Sequence, residues 1–256
     1  MNVLAFFAHP DDETMLAGGT LALLAETGAK VHFLCATRGE GGEAGEPPLC
    51  SLDELGEYRE KELVCAVQNL GGSSLTFLGY TDPRVGPDDQ LYAFTDDMVY
   101  LAGQIAATIK QFDVQAVLSH GSNGEYGHPA HKVCNRAARL AVESYDRSTL
   151  LFYTVSANFK DHPKPRLANP DDPAHLVLDI SSVLDRKTEA ALCHRTQHAL
   201  FVRRASEEAG RRLSVPEVIM TPESLHRTYP AVNGAVDDVL SSLLKPWVVS
   251  DSLAAS

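Results

Sequence analysis

The sequence predicts an α/β fold, a mostly parallel sheet with helices on both faces and a C-terminal extension of different rhythm. Two observations carry this. Short apolar runs alternate with stretches of helical spacing through residues 1–155, the pattern of parallel strands joined by crossover helices. The first run is also apolar throughout and turns polar at once, as a buried strand does where its carboxyl end opens into a crevice.

The elements follow in order. Residues 3–7 form the first strand, bounded by the polar cluster 9–13, and residues 20–27 carry a helical pattern that Gly28 closes. Residues 31–36 form a strand, and 38–48, rich in Gly and Glu, form a loop. Helices are expected over 52–70, 97–110 and 129–143, and strands over 75–78, 116–119 and 150–155. Beyond residue 155 the rhythm changes. Residues 161–173, rich in Pro, Asp and Asn, read as a long loop, 176–180 as a strand, 185–208 as a long helical stretch and 237–244 as a short closing helix. No repeat or linker divides the 256 residues, so a single domain is expected, with a sheet core over about 1–155 and a variable substrate or oligomer region over about 156–256.

The apolar fraction of 44% with 22% charged residues suits a globular chain with a real core. Thirty-four acidic against 22 basic residues, a net charge of −12, disfavour a nonspecific nucleic-acid binder or an anionic-membrane binder. No stretch approaches the roughly 20 apolar residues of a membrane span, and the amino terminus lacks the basic start of a signal peptide. The five cysteines are odd in number and show no CxxC spacing. They read as mostly buried free thiols in a reducing, cytoplasmic setting. A glycine fingerprint is missing after the first strand, which argues against a nicotinamide dehydrogenase.

Two constellations carry chemistry. His9-Pro10-Asp11-Asp12-Glu13 places four ionisable side chains at the end of the first strand. One reading is a solvated turn; the other is a ligand site at the crevice of a parallel sheet. The second constellation follows the fourth strand: His120, a glycine-rich loop with Glu125 and Tyr126, then His128-Pro129-Ala130-His131 at a helix start. Proline at the first helical position leaves both histidines flanking the first turn. The bland alternative has one histidine capping the helix and the other packed. Two histidines and a carboxylate are the usual ligands of a hydrolytic zinc site that keeps a position for water. His9, Asp12 and His131 supply that set if the loops face each other, and Asp11 would then be free as a base.

Residues 8–13, Ala-His-Pro-Asp-Asp-Glu, together with His128-Pro-x-His131, resemble the LmbE/PIG-L family of zinc-dependent N-acetylglucosaminyl deacetylases. The likeness covers residues 1–155 well and the remainder loosely. It implies a Rossmann-like sheet and one divalent ion per chain. Zinc is the family's metal, although the ligand set suits others. The implied ligands are His9, Asp12 and His131, with Asp11 as general base and His128 stabilising the oxyanion or protonating the amine. Tyr126 matches a tyrosine of some members, and the family-like elements extend to residues 37–41, Arg59 with Glu62, and His194 with Gln197.

The implied reaction removes the N-acetyl group from an N-acetylglucosamine-containing conjugate, a small molecule, releasing acetate and a free amine. The alternative is an amidase of the same family acting on another acyl-amide, such as a glycopeptide or antibiotic intermediate. A non-catalytic sugar- or metal-binding protein would lack the water-activating carboxylate that Asp11 supplies. A homo-oligomer is also within the family's range. Arg38 and Arg59 are expected to meet the substrate's hydroxyl, phosphate or carboxylate groups, the alternative for Arg59 being an ion pair with Glu62 or Glu57. Glu13 is expected to orient a ligand histidine through its other ring nitrogen, and His120 to orient such groups or to pack. His194 and Gln197 either point at the site or lie on a solvated helix face.

Overall fold

The computed structural model describes residues 1–145 and 149–249. The first half alternates as expected: β1 (Asn2–Phe7), α1 (Asp12–Glu26), β2 (Lys30–Thr37), α2 (Leu55–Leu70), β3 (Ser74–Tyr80), α3 (Met98–Gln111), β4 (Ala116–Ser119), α4 (Pro129–Glu143) and β5 (Leu151–Val155). There follow β6 (Ala157–Asn158), β7 (Asn169–Pro173), β8 (Leu176–Asp179), α5 (Leu184–Cys193), α6 (His198–Ala209), the single turn α7 (Val215–Val218), β9 (Pro222–Tyr229) and α8 (Val239–Leu244).

Seven strands form one sheet in the order β3-β2-β1-β4-β5-β9-β8. The first five are parallel to one another, and β9 runs antiparallel to both β5 and β8. From Val3 onward every residue of β1 is buried, because the strand lies inside the sheet and is covered on both faces. One apolar layer joins the sheet to α1, α2, α5 and α8. The other packs α3 and α4 on the opposite face. The chain leaves β1 toward β2 and β3, then returns on the other side as β4. The carboxyl ends of β1 and β4 therefore flank a topological switch point, where such sheets bind ligands.

Four expectations need correction. Helix α1 starts at Asp12, not residue 20, so Asp12 and Glu13 lie in its first turn, where the exposed amides favour carboxylates. Its two glycines disguised it. A Cβ at Gly19 would lie 2.6 Å from the Cβ of Ile180, so close helix–strand packing demands glycine there.

The expected helix over 185–208 is broken between α5 and α6 by a 3₁₀ turn over Arg195–Gln197. Glu62 of α2 accepts from both the amide (2.8 Å) and the hydroxyl (2.7 Å) of Thr196, which fixes the break.

The sheet also extends past residue 155. The polar strand β9 inserts between β5 and β8, and the end of the expected 161–173 loop pairs with β6 as β7.

Cys65 and Cys193 are not free thiols but a disulfide. The packed helices α2 and α5 bring their Cα atoms to 5.8 Å, within bridging distance, and the 128 residues between them hid the pairing. Cys35 and Cys134 are free and buried, as expected.

Candidate metal and catalytic site

The two constellations meet at the switch point. The Ala8 amide, just past β1, donates to His120 Nε2 (3.0 Å), just past β4, and so ties the two strand ends together. Next to it, Asp12 bridges the histidines. Its Oδ2 lies 3.2 Å from His9 Nδ1 and accepts from the His9 amide (2.9 Å). Its Oδ1 lies 3.3 Å from His131 Nε2.

His131 is aimed from behind. Its Nδ1 lies 2.6 Å from Glu125 Oε2, so the ring presents Nε2 to the site. Glu125 also faces His120 Nδ1 (3.1 Å) and accepts from the Gly121 amide (2.8 Å). His120 stacks on His131 with ring centroids 3.9 Å apart, and Asn135 holds its carbonyl. Both readings of His120, orienting and packing, therefore describe it.

His128 caps α4: its Nδ1 accepts from the Ala130 amide (3.2 Å), and Pro129 occupies the first turn as expected. Its ring stacks on His131 at 4.4 Å and lies 4.9 Å from that of His9. The capping role and a place in the site coexist.

Asp11 stands just before α1 with φ 117° and ψ −30°, outside the regions open to L-residues. Such a conformation costs about 1–3 kcal/mol and persists only where its surroundings impose it. Arg59 imposes part of it, donating to Asp11 Oδ2 (3.2 Å), Pro10 O (2.5 Å) and Gly39 O (2.9 Å). The loop after β2 lies directly on this guanidinium. A Cβ at Gly39, where φ is +69°, would sit 2.2 Å from Arg59 Nη1, so glycine is required. Arg59 is thus neither paired to Glu62 or Glu57 nor open to solvent; it lies beneath Asp11.

The electrostatics follow from burial against these partners. Burial lowers the basicity of His9, but the Asp12 and Asp82 carboxylates outweigh it and raise the ring to about 9. His131 is raised to about 10 against its burial by Asp12 and Glu125. Burial would raise Glu125, yet His120 and His131 hold it down at about 2. Burial pushes Asp11 up to about 6 against the pull of Arg59. His128, by contrast, is driven down to about 3 by burial and by the neighbouring His131 and His9 rings.

Ligand-capable atoms fall into two overlapping sets, each within 4.8 Å: His9, His128 and His131, and Asp12, His120 and His131. Two buried ring nitrogens of the site, His9 Nε2 and His131 Nε2, make no directed hydrogen bond and face the Asp82 and Asp12 carboxylates at 3.3 Å. Buried polar atoms left in that state call for an explanation, and a bound cation is one. Imidazole and carboxylate donors together suit zinc or a similar divalent ion.

The other expected residues fall at varied depths. Tyr126 is 56% exposed, its ring 5.7 Å from those of His128 and His131. Arg38 is part-exposed and faces Glu40 (3.2 Å) and Glu60 (3.7 Å). Glu13 differs from expectation: it pairs with His194, 3.1 Å away, and the carboxylate behind His131 is Glu125. The physical reason is the helix start at Asp12, which turns Glu13 toward α5 and away from the β4 loop. His194 and Gln197 are buried in the α5–α6 turn, not on a solvated face.

Asp82 was missed. It follows β3, and its Oδ1 reaches His9 Nε2 at 3.3 Å while Gly41 holds its Oδ2. Its signal in the sequence is a carboxylate just past a strand's carboxyl end.

The profile of the family described as PIG-L, GlcNAc-PI de-N-acetylase, matches residues 4–142. The 1D-myo-inositol 2-acetamido-2-deoxy-alpha-D-glucopyranoside deacetylase of Mycobacterium sp. (strain KMS) is 31% identical over 245 residues, covering 84% of this chain and 80% of that protein. Its namesake from Saccharomonospora viridis is 33% identical over 226 residues, covering 76% of this chain and 84% of that protein. Among solved structures, the N,N'-diacetylchitobiose deacetylase of Pyrococcus horikoshii matches with a TM-score of 0.61 at 18% identity, over 89% of this chain and 83% of that one. GalB, the 4-carboxy-2-hydroxymuconate hydratase of Pseudomonas putida KT2440, matches at 0.60 and 24% identity, over 92% and 99%. A deacetylase and a hydratase on one scaffold show that these distant likenesses carry fold and not reaction. The span of the profile and the identity to the curated deacetylases do more: the chain belongs to the PIG-L family of de-N-acetylases.

Proposed function

We propose that the protein is a metal-dependent hydrolase that removes the acetyl group from an N-acetylglucosamine-containing small molecule. The curated relatives support a glucosaminyl-inositol type of conjugate as its substrate. The observation that carries the reading is the Asp12 carboxylate between two histidines, 3.2 Å from His9 Nδ1 and 3.3 Å from His131 Nε2, with a further carboxylate, Asp11, beside it. His120 is already used, because its Nε2 accepts from Ala8 and its Nδ1 faces Glu125. His128 spends its Nδ1 on the Ala130 amide. Removing both from the two convergent sets leaves His9, Asp12 and His131 as the ligands, with zinc the proposed ion.

A divalent cation held there would polarise the amide carbonyl and acidify a water. Asp11 takes the proton from the attacking water as its general base, and a cation beside it would favour the carboxylate form. His128 is neutral, and with its Nδ1 accepting, its proton sits on Nε2. It donates to the developing oxyanion. Since His128 carries no spare proton, the one needed by the leaving amine returns from Asp11. Tyr126, at the exposed rim, is placed to add a second donor. Arg59 acts on Asp11 from below, while Arg38, at the loop edge, meets the more distant polar groups of the substrate.

No helix among the described residues is long and apolar enough to cross a membrane, which supports a substrate met in water. The proposed compartment is the cytoplasm, and the Cys65–Cys193 bond stands against it. The test is metal analysis of the purified protein, then amine release from a panel of N-acetylglucosamine conjugates and longer N-acyl analogues. Release from acetylated glycosides, lost on chelation and restored by a divalent ion, is the expected result. Preference for a longer acyl chain would favour the amidase alternative. Failure of every metal to activate would end the reading.

A further inference from the structure

Glu13 and His194 take no part in the chemistry above, yet they lie against its base. Glu13 Oε2 accepts from the Asp11 amide (3.0 Å). Its Oε1 accepts from the Thr14 hydroxyl (2.5 Å) and lies 3.1 Å from His194 Nε2. His194 is fully buried, and its Nδ1 has no partner, so its one polar contact of consequence is directed at this carboxylate and the adjoining Thr14.

The turn that carries His194 is itself held in place. Thr196 is bound through its amide and hydroxyl to Glu62, and Gln197 Nε2 donates to Glu43 O (2.7 Å). Glu62 lies on α2 three residues after Arg59, which grips Asp11 Oδ2 and Pro10 O. One helix therefore fixes the Asp11 carboxylate directly and, through Glu62, the turn whose histidine bears on Glu13. The interruption of a long helical sequence at this point serves the aim of a single imidazole.

Resting on the deacetylase reading, we propose that Glu13 and His194 are positioning residues for Asp11. His194 orients the Glu13 carboxylate, and Glu13 holds the Asp11 amide so that the backbone keeps its positive φ and the base keeps its direction. Neither residue touches the reacting atoms. The metal ligands are held separately, since His9 and Asp12 bond to each other and Glu125 holds His131. Losing the pair therefore moves the base and spares the metal. A displacement of about 1 Å in a catalytic group costs on the order of 10²-fold in rate.

The test is a double-mutant cycle with a structural arm. His194→Ala is expected to lower kcat about 10²-fold with KM and metal content unchanged, while His194→Gln, which keeps a donor for Glu13, recovers most of the rate. In an Asp11→Asn background His194→Ala should change the residual rate less than about threefold, since coupled residues are not additive. An equal loss in both backgrounds, or metal lost along with activity, would overturn the proposal. Should His194→Ala fail to fold, Glu13→Ala, which removes the acceptor for the Asp11 amide, carries the same cycle. If the wild type deacetylates nothing, the activity reading fails by itself. Metal-free crystal structures of the wild type and His194→Gln or Glu13→Ala still decide the pair. Asp11 must keep its positive φ in His194→Gln and lose it in Glu13→Ala, which removes the acceptor for its amide, and retention in both sinks the idea.

Discussion

The amino-terminal sheet half and the C-terminal third divide the work unequally. Every residue proposed to meet the metal or the substrate lies from His9 to His131, on the loops and first helical turns that follow β1, β2 and β4. The C-terminal third supplies buried polar groups that reach back and brace those loops: His194 on Glu13, Thr196 on Glu62, and Glu223 on the Gly19 and Thr20 amides of α1. Chemistry is local in this chain, and rigidity is not. Loops that carry reactive groups need a scaffold to hold them, and here part of the scaffold for residues 9–13 comes from His194, 181 residues beyond Glu13.

Three measurements sharpen that division. The largest effect is expected in the first half: Asp11→Asn should retain its metal and lose about 10²–10⁴-fold in kcat, the usual worth of a general base. Metal analysis beside steady-state kinetics checks it, and joint loss of metal and turnover would remove Asp11 from the role of base.

The next effect is on metal affinity. In the metal-free protein His9 and His131 hold protons up to about 9 and 10, and a cation must displace them. Affinity should therefore rise with pH through the neutral range and level off above about 10. Glu125→Gln, which removes the negative charge and one of the two acceptor oxygens behind His131 and the Gly121 amide, should weaken binding about 10–100-fold at any one pH. Chelator competition across pH reads both, and an affinity that falls with rising pH would contradict the ligand assignment.

The smallest effect on turnover is expected from the Glu223 brace, which holds Gly19 and Thr20 of α1 and not the Asp11 turn. Lys187 Nζ and Glu223 Oε1 form a fully buried pair at 2.7 Å. Lys187→Met leaves the Glu223 charge without its cation and should cost about 3–5 kcal/mol of stability. The kcat of the folded fraction should stay within about twofold, since the pair touches α1 at Gly19 and Thr20 and none of the residues proposed to react. Denaturant titration together with active-site-normalised kinetics separates the two. A large fall in kcat would show that the brace reaches the chemistry.

The same division explains what could be read from sequence. The sheet and both constellations were legible because each is contiguous: a strand's apolar run, its polar end, a His-Pro start to a helix. Ala116–Ser119 and Pro129–Glu143 matched the expected bounds residue for residue. The braces were not legible, because their partners are joined only by the fold. Glu13 looked like a support for a ligand histidine until its side chain was seen to face α5. The Thr196–Glu62 contact spans 134 residues and breaks a helix whose composition alone favours continuity. Strand β9 escaped because a polar strand beside a buried one has no apolar alternation to betray it. Glu125 stood in the second constellation, but its place behind His131 was not legible, and nothing local told the buried Asp82 from the chain's solvated carboxylates.

The bond between Cys65 and Cys193 closes part of the chain into a covalent ring. His120, Glu125, His128 and His131 travel inside it, while the segment with His9, Asp11 and Asp12 enters from outside. The proposed metal would therefore clasp an open arm to a closed loop. Cleavage of one peptide bond anywhere within the ring would open it without releasing a fragment, so a chain nicked in the 161–173 segment would keep both ligand groups on one molecule.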